Sequence, residues 1–80
     1  MIKEEVYEKL NAVFRDVFDD ETISISENMT ANDIEGWDSL VNITLIECIE
    51  EEFGIKFSMR EILAVRNIGE MVSLILKLKA

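Results

Sequence analysis

The chain has no histidine, no proline, a single cysteine, three glycines and no long apolar run, and each shortage closes off a class of function. Without histidine the commonest general base near neutral pH is missing. Neither a Ser-His-Asp nor a Cys-His site can be assembled from these residues. The sequence therefore reads as a client of enzymes and not an enzyme. Cys48 is the only cysteine, so no internal disulfide can form and nothing calls for an oxidising compartment. No apolar stretch reaches the roughly 18 residues that span a bilayer. The opening Met1-Ile2-Lys3-Glu4-Glu5 turns acidic at once, unlike a secretion signal, so a cytoplasmic protein without membrane insertion is expected. Basic side chains are scarce as well: eight against seventeen acidic ones leave a net charge of −9. Nucleic acid and anionic lipid repel such a surface, whereas basic patches on partner proteins are drawn to it.

What is present is apolar material in helical order. Hydrophobic residues make up 49% of the 80 positions, enough for one core, and residues 1–80 are expected to form a single, monomeric domain. Ile2, Val6, Leu10, Val13, Phe14, Val17 and Phe18 step by threes and fours and predict an amphipathic helix ending at Asp19-Asp20-Glu21. Residues 19 to about 37 lose that period. They form a long connection of the kind that often carries function, with Ile23, Ile25, Met29 and Ile34 to hold it against the core. A second helix is predicted from Asp38-Ser39 to Phe53, with Asp38 as N-cap and Gly54 in the left-handed position after its end. Its inward stripe is expected to be Ile43, Ile46, Ile49 and Phe53, flanked by Leu45 and Cys48. Asn42, Glu47, Glu50 and Glu51 should face outward. Ser58 is placed to cap a brief third helix holding Ile62, Leu63 and Val65. Asn67 with Glu70 reads as a capping box for the last helix, which buries Ile68, Met71, Val72, Ile75 and Leu78. The expected fold is all-α: a four-helix bundle of three main helices and one short one, with a long loop between the first and second.

The stretch with chemical content is Gly36-Trp37-Asp38-Ser39-Leu40, after an acidic loop and before a helix ending Glu50-Glu51-Glu52-Phe53-Gly54. The tripeptide Asp-Ser-Leu alone is what starts many helices. In this setting the sequence resembles the acyl carrier protein family over nearly its whole length. The shared features are the first amphipathic helix, the loop anchored by Met29 and Ile34, the Asp-Ser-Leu motif and the Ile55-Lys56-Phe57 link.

The resemblance implies that Ser39 receives a 4′-phosphopantetheine arm, transferred from coenzyme A by a dedicated phosphopantetheinyl transferase. Acyl groups would ride on its thiol as thioesters to the acyl-transferring, condensing or ligase enzymes of fatty-acid, polyketide or related biosynthesis. It also implies that Asp38, Leu40 and Val41 complete the motif and that Leu40 contacts partners. Glu47, Glu50 and Glu51 would then meet basic docking patches. The chain departs from many relatives in carrying Val41, Asn42 and Thr44 where acidic or apolar residues are common, so its first turn offers partners little charge. An aminoacyl or peptidyl carrier is the near alternative, although the glycine-histidine pattern of many peptidyl carriers is missing before Ser39. An acidic interaction module with no prosthetic group is the more distant one. The acids from Asp19 onward do not make a calcium loop, because isoleucines stand at ligand positions and the central glycine is missing, so no metal site is expected.

Overall fold

The computed structural model describes residues 1–79. Its elements run in the order α1 (Lys3–Val17), a 3-10 turn (Ala31–Asp33), α2 (Ser39–Phe53), α3 (Met59–Ala64) and α4 (Ile68–Lys79), with no strand among the described residues. The predicted helices therefore form, and the long connection holds one short turn. The ends of α1 and α2 are each closed by a visible device. Glu5 reaches back to accept the Ile2 N–H at the start of α1. At its end Asp19 takes φ 51°, and the amides of Asp19 and Asp20 return to the Asp16 and Arg15 carbonyls. This is a Schellman closure built on an aspartate, one of the few non-glycine residues that tolerate the left-handed region. Gly54 closes α2 in the same way at φ 65°, sending Ile55 N–H back to the Glu50 carbonyl.

The core forms where the apolar faces of α1, α2 and α4 meet. Val6, Leu10, Val13 and Phe14 of α1 are buried with Leu45, Ile46, Ile49 and Phe53 of α2 and Ile68, Met71, Val72 and Ile75 of α4. Two details differ from the periodicity. Ile43 is 58% exposed and does not join the core expected of it. Leu45, expected on a flank, is almost fully buried in place of Ile43. Helix α2 is apolar on more than one side, and period alone cannot say which side turns inward. Leu78 is packed at the margin of the core and not inside it.

The long connection is held by backbone hydrogen bonds as well as by its isoleucines. Ile23, Ile25 and Ile34 are buried and Met29 packs against them. Two polar side chains of α1 reach across to it. Asn11 Oδ1 accepts the Ile25 N–H at 2.8 Å, and Arg15 Nε donates to the Ile23 carbonyl at 2.7 Å. Further on, Ile68 N–H and Gly69 N–H donate to the carbonyls of Met29 and Glu27 at 3.0 and 2.9 Å, strapping the loop onto the start of α4. A Cβ on Gly69 would stand 2.9 Å from Glu27 Cβ, so the strap lies this close only because residue 69 has no side chain. Thr30 then caps the 3-10 turn, with Asp33 Oδ2 accepting the Thr30 N–H at 2.8 Å. At the start of the loop Asp20 accepts from the Thr22 hydroxyl and amide, which holds its carboxyl below the usual range.

Candidate functional site

Ser39 is the first residue of α2, exposed, and its position is fixed from both directions along the chain. On the N-terminal side, Trp37 packs edge-on against Phe14 with ring centroids 5.3 Å apart and against Phe18 at 6.0 Å. Such pairs are worth about 0.5–1.5 kcal/mol beyond their buried area, so the end of the loop is firmly seated. The indole Nε1–H donates to Asn42 Oδ1 at 2.9 Å, tying the residues on either side of Ser39 together. On the helix side, Asp38 is the N-cap: its carboxylate accepts Val41 N–H and its carbonyl accepts Asn42 N–H, both at 2.9 Å. The amides of Ser39 and Leu40 have no acceptor among the described residues. They lie at the positive end of a 15-residue helix.

Beside Ser39 opens a cavity of ≈ 380 Å³ between α2 and the α3–α4 segment. Its walls are mainly apolar, supplied by Leu45, Ile46 and Ile49 from α2, Ile62 and Val65 from α3 and its end, and Met71 from α4. The polar part of the lining is Ser39 with Asp38, Asn42, Thr30, Arg66 and Asn67. A group attached to the Ser39 hydroxyl would begin at an exposed oxygen and have an apolar recess within reach.

The other residues singled out from the sequence sort into two sets. Leu40 stands out at 78% exposed, and Glu47 and Glu51 lie exposed about two and three turns further along α2. Val41 is half-buried. Glu50 does not belong with the outward acids. It is half-buried, and its Oε2 accepts the Phe57 N–H at 2.8 Å, which fixes the link into α3. Asn42 likewise turns to Trp37 and away from solvent. Sequence reasoning passed over an exposed apolar set. Ile43 on α2 and Met59 and Leu63 on α3 are left uncovered together with Leu40. Met59 and Leu63 sit four apart on one helical face, a spacing that periodicity reads equally well as core.

A family model described as a phosphopantetheine attachment site matches residues 8–75 of the chain. Among solved structures, the solution structure of a holo acyl carrier protein from Geobacter metallireducens is 37% identical. It superposes with a TM-score of 0.86 over 91% of this chain and 84% of that one. The chain belongs to the acyl carrier protein family. No curated protein sequence matches it. An acyl carrier protein holds 4′-phosphopantetheine covalently and is a carrier, not a catalyst, which accounts for a site with no base and no nucleophile–base pair. Its partners are the phosphopantetheinyl transferase that loads it and the biosynthetic enzymes that use its cargo. Among the described residues no helix is long and apolar enough to cross a membrane.

Proposed function

We propose that Ser39 is the residue that carries the 4′-phosphopantetheine arm, and that the cargo is an acyl chain of apolar character. The observation that carries this reading is the pairing of an exposed serine hydroxyl at the start of α2 with an apolar cavity of ≈ 380 Å³ immediately beside it. When bound, the arm supplies a thiol that holds the acyl group as a thioester. The protein's own residues do the rest. Asp38 caps α2 and sets where Ser39 stands, and Trp37 with Asn42 locks the turn that precedes it. The unpaired amides of Ser39 and Leu40 are suited to a phosphodiester oxygen. Leu45, Ile46 and Ile49 offer apolar surface to an alkyl chain, which favours acyl over aminoacyl cargo.

Partner enzymes dock, in this reading, on the α2 side through Leu40, with Glu47 and Glu51 meeting basic side chains further along the helix. The protein acts as a monomer in the cytoplasm.

The test is intact mass after incubation with coenzyme A and a broad-specificity phosphopantetheinyl transferase. The wild-type chain should gain one phosphopantetheinyl group and Ser39→Ala none. The variant should keep its fold, since alanine suits a helix position. A mass gain in the alanine variant would sink the assignment to Ser39.

A further inference from the structure

A phosphodiester placed on Ser39 would stand next to the Asp38 carboxylate in a chain of net charge −9. Repulsion of that kind is relieved by a cation nearby, and one basic residue lines the same cavity as Ser39. Among the described residues Arg66, in the turn between α3 and α4, is the one basic residue lining the cavity that Ser39 borders, and Asp38 the one acid. The backbone of Arg66 is committed, its N–H donating to Glu70 Oε1 at 3.0 Å, while its side chain is exposed and engages no carboxylate among the described residues. The local charge is unusual for this protein. Between Ile55 and Asn67 lie Lys56, Arg60 and Arg66 against Glu61 alone, which is 3 − 1 = +2 within the net −9. Asp38 Oδ1 accepts the Val41 N–H, and no ion pair joins Asp38 to Arg66 among the described residues.

We propose that Arg66 is the counter-ion of the arm's phosphate, holding it at the mouth of the cavity so that the rest of the arm starts towards the recess. This inference rests on the Ser39 reading. A guanidinium suits the role because it can present two parallel N–H donors to two phosphate oxygens, which a point charge cannot. At an exposed site the contact should weaken with salt. It adds nothing to the unmodified protein, where there is no phosphate to hold.

The test compares unmodified and modified forms of wild type, Arg66→Gln, Arg66→Lys and Arg60→Gln, with loading of Ser39 checked by intact mass. Two readouts are taken: the phosphorus-31 resonance of the arm, and the melting-temperature change on loading. Both are followed from about 0.01 M to 1 M sodium chloride, over which the screening length falls from about 30 to 3 Å. At low salt, loading should leave Arg66→Gln about 1–8 °C worse off than wild type relative to its own unmodified form. Its phosphorus resonance should move to the value that wild type shows only at high salt. Arg66→Lys should keep part of both effects, and Arg60→Gln, whose side chain does not line the cavity, should behave as wild type. Normal loading with identical phosphorus resonances and identical loading shifts in wild type and Arg66→Gln would overturn the inference and leave Ser39 standing. Failure of wild type to gain mass would overturn the Ser39 reading, and the Arg66 proposal with it.

Discussion

Replacing Gly69 by alanine sets two effects of similar size against each other, and the geometry says which wins. Alanine is the better helix former, by about 1 kcal/mol in an exposed interior position. Gly69 lies in the first turn of α4, where less than that full gain is available. Against it stands the loop. The new Cβ would meet Glu27 Cβ at 2.9 Å and the Glu27 carbonyl oxygen at 3.0 Å, both inside ordinary van der Waals contact. That same carbonyl accepts the Gly69 N–H, so the loop cannot back away without loosening the bond and its neighbour from Ile68 to Met29. Each such bond is worth about 0.5–1.5 kcal/mol, and forced overpacking typically costs about 1–3 kcal/mol. The net expectation is a loss of about 1–2 kcal/mol, which for a domain of this size lowers the melting temperature by about 4–16 °C. Thermal and urea melts of the unmodified protein measure it. Glu27→Gly removes the closer of the two contacts and should recover part of the loss in the Gly69→Ala background, beyond its effect alone. An alanine variant as stable as wild type, or more so, would show that the strap yields freely and does not hold the loop.

Two further outcomes are expected. Leu40→Ala should lower the efficiency of transferase modification while changing stability by less than about 0.5 kcal/mol, as befits a side chain 78% exposed. Ile49→Ala, at a fully buried position, should cost about 2–5 kcal/mol, and equal melts for the two would return Leu40 to the core. The melting temperature should rise with added salt and rise further with millimolar magnesium or calcium. The surplus of carboxylates repels itself, and Glu47 and Glu51 sit at the four-residue spacing where like charges destabilise a helix; a fall with salt would mean that attractive pairs dominate.

Much of this architecture could be read before any coordinates because it is written in local chemistry. Asp38 and Ser58 cap the helices expected of them, with Val41 N–H and Glu61 N–H as the amides they accept. Gly54 takes the left-handed turn that its place after Phe53 suggested. Asn67 does cap α4, accepting Glu70 N–H at 2.8 Å, but the return half of the box is displaced by one residue. Glu70 takes the amide of Arg66 and not that of Asn67. One consequence of that shift is that the backbone of Arg66 is fixed at the rim of the cavity. A rule that pairs residues by spacing says nothing about such a displacement. The Schellman closure at Asp19 was equally invisible, since no glycine marks it. The strap between Glu27 and Gly69 joins residues far apart in the chain, which no local pattern reports.

The apolar residue that periodicity misplaced, Ile43, and the exposed Leu63 lie on the helices flanking the cavity beside Ser39. Ile43 obeys helical spacing with Ile46, Ile49 and Phe53, and a rule built on spacing assigns it to the core. The structure leaves it uncovered, with Leu40, Met59 and Leu63. Spacing reports only that a helix has an apolar side; it does not report whether the chain itself covers that side. A core face and a face kept for another protein have the same sequence signature, because both are built to leave water. The acidic surface tells them apart only in part, since the first two turns of α2, from Ser39 to Ile46, carry no charge at all. A partner that engages this end of α2 therefore meets apolar side chains first and glutamates only from Glu47 onward. In that arrangement charge serves mainly to steer the encounter, and burial of Leu40 and its apolar neighbours supplies most of the hold.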